Sequence, residues 1–179
     1  MTIYNDNDLL KLFKTEGQKE KAFLLVINKY QEKLYWHVRK IVITHEDADD
    51  VIQNTLIKVW KNLEKFNADA QLYTWLYKIA TNEALSYLKI KKKNSIVNYE
   101  EFLSTTLAAD EYFDGDKLKL RLQQAVLSLP ERQRLVFNMK YYDEMKYEEI
   151  AKILDISIGA LKASYHHARK KIELYFKED

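Results

Sequence analysis

The segment Tyr147–Ala168 constrains the fold most, because its apolar residues have the spacing of two short helices joined by a tight turn. Ala151 falls where the two helices would touch, and a small side chain there lets the helix backbones approach closely. The turn falls at Asp155, one of the few residue types besides glycine that tolerates the positive φ such a turn needs. Apolar contacts are expected at Ile150, Leu154, Ile156 and Leu161. The sequence therefore predicts a helix-turn-helix.

The second helix of this unit has the charge pattern of a DNA-binding helix. Ser157 can cap its first turn, because a serine oxygen accepts a hydrogen bond from a free backbone N–H there. Polar and basic residues lie away from the stripe Leu161, Tyr165, Ala168 and Ile172; they are Lys162, Ser164, His166, His167, Arg169 and Lys170. The alternative is an ordinary helical hairpin with a solvated face, but the basic residues favour DNA. A metal site is not expected at His166 and His167, since adjacent helical residues diverge by about 100°.

Few residues in the chain interrupt helices. Its 179 residues include one proline and three glycines, so we predict an all-α protein. The absence of cysteine excludes disulfides, thiolate catalysis and cysteine-type zinc sites. No uncharged apolar run approaches the roughly 18–20 residues of a membrane span, and the N-terminus lacks the features of a secretory signal. We therefore expect a cytoplasmic protein without direct membrane insertion.

Charge divides the chain into three parts. Residues 1–93 contain 16 Lys and Arg and 12 Asp and Glu. Residues 94–116 contain no Lys or Arg and 6 Asp and Glu, and residues 117–179 contain 13 Lys and Arg and 9 Asp and Glu. We predict two small helical domains, 1–93 and 117–179, joined by an acidic linker at 94–116. The linker would be repelled by duplex DNA while its flanks are attracted, although it could also serve only as a solvated tether.

Helical signals recur within the N-terminal part. An apolar stripe with helical spacing runs from Phe23 to Val38. The carboxylates of His45–Asp50 favour a helix start, because negative charge is stabilised at a helix N-terminus. A third, aromatic helix is predicted from Leu72 to about Lys89, followed by a lysine run. In the C-terminal part, a helix is expected to start near Lys117 and another after Pro130.

Three segments, in order, give the chain a resemblance to a known family. They are Ala48–Leu56, then Leu72–Asn82 with its W-L-x-x-I-A-x-N core, and then Leu129–Arg134 with Glu149–Ala151 and Gly159–Lys162. These segments resemble parts of bacterial RNA polymerase sigma factors of the extracytoplasmic-function (ECF) type. The first two look like the polymerase-binding helix and the promoter-melting segment of that family's region 2, and the third looks like its region 4. The resemblance covers nearly the whole chain. It implies a factor that binds core RNA polymerase and directs promoter-specific transcription initiation, with region 4 reading the −35 element and region 2 the −10 element.

The resemblance also assigns candidate contacts. Polymerase docking falls to a polar patch beside an apolar stripe, formed by Asp49, Asp50, Gln53 and Asn54. Contacts with the −10 element fall to Phe66, Tyr73, Lys78, Asn82, Lys89, Lys91, Lys92 and Lys93, because aromatic faces can hold an unstacked base and lysines can bind phosphates. The lysine run is equally well read as a solvated helix end. Contacts with the −35 element fall to Gly159, Ala160, Lys162, Ala163, Ser164, His166, Arg169 and Lys170.

Other aromatic and apolar residues of the N-terminal part are predicted to form the core. They include Trp75, Leu76 and Ile79, and Trp60 is expected in the core rather than at a partner. Lys146 stands where a serine or threonine cap often opens the first helix of the helix-turn-helix, so we expect that cap from elsewhere, with Asp143 as the candidate. Ser86 and Lys89 also depart from the family pattern, which more often has aspartate and arginine there.

No constellation for catalysis is found. The sequence has no glycine-rich phosphate loop, no H-E-x-x-H motif and no cysteine. We expect neither an enzyme nor a cofactor, metal or small-molecule substrate, and the expected partners are core RNA polymerase and promoter DNA. The resemblance also allows an anti-sigma factor as a partner, although no residue identifies one. The alternative function is a stand-alone helix-turn-helix transcriptional regulator, which would bind duplex DNA without polymerase.

Overall fold

All regular secondary structure that the structure describes is helical, and this confirms the predicted fold class. The structure, a computed structural model, describes residues 4–66, 71–94, 105 and 117–177. Its helices are α1 (Asp6–Lys14), α2 (Lys19–Val42), α3 (His45–Asn62), α4 (Leu72–Asn94), α5 (Lys117–Leu127), α6 (Glu131–Tyr141), α7 (Tyr147–Leu154) and α8 (Ile158–Tyr175), with a 3₁₀ turn at Leu63–Lys65. We call α1–α4 the N-terminal unit and α5–α8 the C-terminal unit. Apart from Asn94 and Thr105, the predicted linker 94–116 lies outside the described residues.

None of the helices in these described ranges is both long enough and apolar enough to cross a membrane. Longer helices such as α2 and α4 carry charged residues throughout, because each has one face in the core and one in solvent.

Side chains next to each helix N-terminus explain where several helices begin. The Asn5 side chain accepts a hydrogen bond from the backbone N–H of Asp8, whose carboxylate accepts one from Asn5 in return. The Thr44 hydroxyl caps α3 in the same way, at 3.1 Å from the Asp47 nitrogen. Ser157 caps α8 at 3.3 Å from the Ala160 nitrogen, as predicted.

The prediction that Asp143 caps α7 is wrong. The carboxylate of Glu149, inside the first turn of α7, accepts the hydrogen bond from the Lys146 backbone N–H at 2.7 Å. Asp143 instead lies against the N-terminal unit, where two cationic side chains bind its carboxylate. Charge pairing with a distant helix therefore outweighs the local capping bond.

In the N-terminal unit, α2 packs against α1, α3 and α4 around one apolar core. The predicted stripe of α2 faces this core through Val26, Tyr30, Leu34 and Val38, all buried. Leu72, Leu76 and Leu88 on α4 are also buried, and each such leucine contributes about 1.5–3 kcal/mol to folding. The intervening Ala80 and Ala84 are fully buried and small, so α4 can lie close to its neighbours.

The helix-turn-helix of the C-terminal unit is confirmed. Asp155 ends α7 in the left-handed conformation, with φ 54° and ψ 46°, as the turn requires. Ile150 and Leu161 are buried where the two helices meet, and Leu154 and Ile156 are half-buried. The packing of α5, α6 and α8 forms a second cluster, made of Ala125, Val126, Leu129, Phe137, Ala168 and Ile172.

The two units are in direct contact, which the sequence analysis did not predict. Helix α4 packs on α7, and α2 packs on α6. Apolar residues of the C-terminal unit belong to the same buried cluster as the N-terminal core; among them are Leu135, Val136, Met139, Met145, Ile150, Ile153 and Leu161. The contact between the units is therefore apolar at its centre.

Candidate nucleic-acid interface and docking patch

The predicted −35 contacts lie on one outward face of α8, which we call the recognition face. Seven of its eight residues are exposed, and Ser164 is half-buried. The opposite side of α8 is held in the core by Leu161 and Ala168, both fully buried. Burial of one stripe of the helix therefore directs the recognition face into solvent.

Gly159 at the start of this face is not required by the fold. A Cβ atom built at this position would meet nothing within 4 Å, and the backbone there does not have the positive φ that favours glycine. The missing side chain of Gly159 therefore leaves space for a molecule that approaches α8 from solvent, and it relieves no crowding within the protein. This is the property expected where a helix backbone comes close to a base edge or a phosphate.

Positive charges on α8 remain near solvent. The Nζ atom of Lys162 lies 5.9 Å from the centre of the Tyr147 ring. Arg169 pairs with Glu173 one turn later at 3.4 Å, but both side chains are more than half exposed. Exposed pairs of this kind contribute about 0–1 kcal/mol, so DNA phosphates can compete for the guanidinium.

The four predicted docking residues form an exposed polar patch on α3, which we call the docking patch. Asp49, Asp50, Gln53 and Asn54 all face solvent, while Val51 on the inner side is buried. Ile57 continues the patch by one turn and is 51% exposed. The sequence analysis missed Ile57, although it falls outside the helical stripe of Val51, Thr55 and Val59 and so could have been recognised as an outward apolar residue.

Trp60 lies at the rim of the core rather than inside it. Its ring makes edge-to-face contacts with Phe13 and Phe23, at 5.9 and 5.0 Å between centroids. It nevertheless remains 37% exposed. The prediction that Trp60 belongs to the core is therefore only half met, because the ring packs against two core-side aromatic rings while more than a third of the residue remains exposed.

A buried carboxylate sets the position of α3 against α4. Asp47 is 3% exposed and accepts hydrogen bonds from the Tyr87 hydroxyl at 2.7 Å and from Lys91 Nζ at 2.6 Å. Burial and the hydrogen bond to Asp47 together raise the pKa of Tyr87 above its usual range. Lys91, expected among the DNA contacts, thus points to Asp47, whereas Lys89 and Lys93 are exposed.

The predicted −10 contacts on α4 differ in exposure. Asn82 is exposed, and Tyr73 is half-buried with its ring 4.3 Å from that of Tyr77. Burial, together with the charges of Asp143 and Glu149, raises the pKa of Tyr73 to about 12. Both carboxylates belong to the C-terminal unit, so this face of α4 looks towards that unit.

Phe66 was predicted to contact DNA at the surface, but its side chain does not project there. It is buried, with its ring centre 5.0 Å from that of Trp75. Aromatic packing over the start of α4 is favourable, and it removes the Phe66 ring from solvent. Residues 67–70 of the same loop lie outside the described residues.

Lys78 and Lys92 of α4 meet carboxylates of the C-terminal unit. Lys78 Nζ lies 2.9 Å from Asp155, the residue at the helix-turn-helix turn. Lys92 pairs with Glu131 at the start of α6. Two of the expected −10 contacts therefore bind the C-terminal unit.

The most buried polar contact between the units joins His37 to Asp143. The Nδ1 atom of His37 lies 2.7 Å from Asp143 Oδ2, and Lys40 Nζ lies 2.6 Å from Asp143 Oδ1. Burial raises the pKa of the Asp143 carboxyl, but the bonds and charges of His37 and Lys40 outweigh burial and hold it below its usual value. The sequence analysis missed this pair, whose only signal was a histidine beside the apolar stripe of α2.

Both halves of the chain match known families. Residues 26–94 match the family "Sigma-70 region 2", and residues 119–172 match the family "Sigma-70, region 4".

The chain is 26% identical to the ECF RNA polymerase sigma factor SigW of Bacillus subtilis, over 84% of this chain and 87% of the relative. It is 34% identical to the ECF RNA polymerase sigma-E factor of Salmonella typhimurium, over 86% of each. Its fold is similar to that of the sigma factor RpoE of Bartonella quintana, solved in complex with the anti-sigma factor NepR, with a TM-score of 0.70 and 22% identity over 89% of this chain and 99% of that one.

Proposed function

This chain belongs to the extracytoplasmic-function (ECF) family of RNA polymerase sigma factors, which direct the polymerase to promoters, and we propose that it divides this work among three surfaces. The docking patch of α3 binds core RNA polymerase. The recognition face of α8 reads the −35 element as duplex, and the outer face of α4 holds the opened −10 strand. The working domains are residues 1–93 and 117–179, joined by the acidic linker at 94–116.

The observation that carries the proposal is the recognition face of α8. The face begins directly after the left-handed Asp155 turn, and its opposite side is anchored by buried Leu161 and Ala168. The N-terminal half of such a helix meets base edges, while later positive charges meet phosphates. Lys162 is then a base contact, and Arg169 and Lys170 are backbone contacts.

The charge of the docking patch supports its role in binding the polymerase. Asp49 and Asp50 present two carboxylates to a partner, and Asp47 holds the helix beneath them through Lys91. Charged groups at an interface fix register and partner choice more than total affinity. Exposed Ile57 supplies an apolar contact next to them.

Promoter opening requires groups that hold a base after it leaves the stack. Asn82, Lys89 and Lys93 are exposed on α4, so they can meet the nontemplate strand and its phosphates. Tyr73 offers an aromatic face on the same helix, and stacking on such a face contributes about 1–3 kcal/mol per base.

We further propose that the chain has no catalytic activity of its own and acts in the cytoplasm, where it meets the polymerase. An anti-sigma factor is a further proposed partner, and support comes from the structurally similar Bartonella quintana factor, which was solved with one.

Co-purification with core polymerase, followed by run-off transcription, tests the proposal. The double charge reversal Asp49→Lys/Asp50→Lys should abolish co-purification and promoter-dependent transcripts while circular dichroism stays unchanged. The matched control is Glu16→Lys/Glu20→Lys, which reverses two exposed carboxylates outside α3 and should behave as wild type. Tight binding to duplex DNA without polymerase, and no effect on initiation, would instead identify a stand-alone regulator.

A further inference from the structure

We propose that Tyr147 is a positioning residue for −35 recognition, and that its ring restrains the ammonium group of Lys162 at one place on the recognition face. Lys162 then reaches a base with less loss of freedom than an unrestrained lysine. The inference rests on the proposed function of the recognition face. It extends that surface to α7, since all the predicted −35 contacts lie within α8.

The contact between Tyr147 and Lys162 joins the two helices of the helix-turn-helix. Tyr147 is the first residue of α7, and Lys162 is the fifth residue of α8. The Nζ atom of Lys162 lies 5.9 Å from the centre of the Tyr147 ring, inside the range of about 6 Å over which an aromatic face attracts a cation. Because this distance is at the outer end of the range, the ring restricts the ammonium group without binding it tightly.

The ring of Tyr147 is itself held in place by two neighbouring helices. It packs edge-to-face with the Tyr165 ring at 6.4 Å between centroids, and Tyr165 stacks on buried Phe137 at 5.8 Å. From α6, the Nζ atom of Lys140 lies 5.1 Å from the Tyr147 ring centre and donates a hydrogen bond to the Met145 carbonyl oxygen at 3.0 Å. Contacts with α6 and α8 therefore fix the ring.

The two lysines near this ring differ in what else binds them. Lys140 is half-buried, and the Met145 carbonyl oxygen accepts a hydrogen bond from its ammonium group. Lys162 is exposed, and within the described part of the chain its ammonium group forms neither a hydrogen bond nor an ion pair. Burial raises the pKa of Tyr147 above its usual value, so the ring is a neutral phenol that attracts Lys162 through its π face. The charge of Lys162 thus stays available to DNA.

Restraint of Lys162 affects the reading of bases more than the binding of phosphates. Lys162 lies three residues after Gly159 and so on the same side of α8, where the missing side chain leaves space for a close approach. A base edge accepts a hydrogen bond only from a donor at one position, whereas a phosphate attracts a positive charge from many directions. A lysine held near that position in the free protein loses less rotamer freedom on binding, so affinity for the cognate element increases most.

Holoenzyme assembled with the full chain tests the inference on promoters with a cognate or a scrambled −35 element. Tyr147→Leu removes the ring but keeps an apolar side chain, while Tyr147→Phe keeps the ring and removes only the hydroxyl. We expect Tyr147→Leu to lower the preference for the cognate element about two- to five-fold, as for an exposed cation–π contact, and Tyr147→Phe to behave as wild type. Tyr141→Leu is the matched control, because Tyr141 is an exposed tyrosine at the end of α6.

A double-mutant cycle separates positioning from structural support. In the Lys162→Ala background, Tyr147→Leu should cause no further loss of preference, because the group that the ring positions is absent. The ε-carbon resonance of Lys162 in the free chain, labelled with ¹³C-lysine, gives a second readout without DNA. The ring current of Tyr147 displaces this resonance in the wild type, and we expect the displacement to persist in Tyr147→Phe and to disappear in Tyr147→Leu.

A loss in Tyr147→Phe as large as in Tyr147→Leu would show that the hydroxyl binds DNA directly, and it would overturn the inference. An unchanged preference in Tyr147→Leu, a loss that is equal on both promoters or persists without Lys162, or a Lys162 resonance that does not respond to the ring would also overturn it. If Lys162→Ala leaves the promoter preference intact, the proposed base contact is refuted, whereas a ring-dependent Lys162 resonance still supports the restraint by Tyr147.

Discussion

The Nδ1 atom of His37 on α2 lies 2.7 Å from Oδ2 of Asp143, in the turn between α6 and α7, although the two residues are 106 positions apart in the chain. Both side chains are almost completely buried, at 1% and 5% exposure. Lys40 completes the charge balance on the second carboxylate oxygen. This contact joins the two units through a paired charge, so it makes their arrangement sensitive to single substitutions.

Asp143→Asn should destabilise the protein by about 3–5 kcal/mol, because it leaves the Lys40 ammonium and the buried His37 ring without the carboxylate that both contact. Chemical denaturation followed by circular dichroism measures the loss. Glu144→Gln is the control, since it removes an exposed carboxylate one residue away. Equal stability of the Asp143→Asn and Glu144→Gln variants would show that the ion pair does not hold the units together.

The stability advantage of the wild type over Asp143→Asn should depend on pH. The pKa of Asp143 is lowered in the folded state, so its contribution is fully present above the ordinary carboxyl value of 3.8 and is lost as the pH falls through the lowered pKa. Unfolding free energies of both proteins between neutral pH and acid measure the difference. An advantage that grew on acidification would contradict the direction of the shift.

Lys91 and Lys93 should have different roles despite their shared place in the lysine run. Lys91→Ala leaves Asp47 buried without its ammonium partner, and we expect a stability loss of about 1–3 kcal/mol. Lys93→Ala removes an exposed charge and should leave stability within about 0.5 kcal/mol while weakening DNA binding. Thermal unfolding and oligonucleotide titrations separate the two effects. A larger loss of stability in Lys93→Ala than in Lys91→Ala would contradict the structural role of Lys91.

Lys162→Ala should weaken promoter binding by the assembled holoenzyme, with a loss of about 1–3 kcal/mol on the cognate −35 element if the lysine reads a base. Binding to a promoter with a scrambled −35 element provides the comparison. Lys152→Ala, an exposed lysine on α7, is the matched control. A loss of equal size on both promoters would mean that Lys162 touches only phosphate.

Features that depend on near neighbours in the chain were predictable. The left-handed turn at Asp155 follows from residue type and the spacing of flanking apolar residues. The Ser157 cap follows from the serine itself, because its oxygen needs only the backbone N–H three residues later. The start of α4 at Leu72 was also predicted. The Glu149 bond at the start of α7 was within reach of the same reasoning, because a glutamate in the third helical position often accepts from the backbone before it.

Features that depend on distant partners were not predictable. Phe66 was expected at the surface, and its burial depends on where Trp75 of α4 lies in the folded protein. Lys91 looks like its neighbours in the lysine run, and only the approach of α3 brings Asp47 within 2.6 Å of it. Nothing in the charge pattern distinguished the lysines that bind carboxylates from those that face solvent.

By itself, then, the sequence determined the helices, the Ser157 cap, the helix-turn-helix and the family, because helical periodicity and turn chemistry act over a few residues. Only the tertiary structure decided that the units meet, that Asp143 faces His37, and that Lys78 is bound by Asp155, 77 positions away. The physical reason is that an ion pair needs two groups within a few ångströms, and for residues so far apart in the chain that distance is set by packing of the whole core.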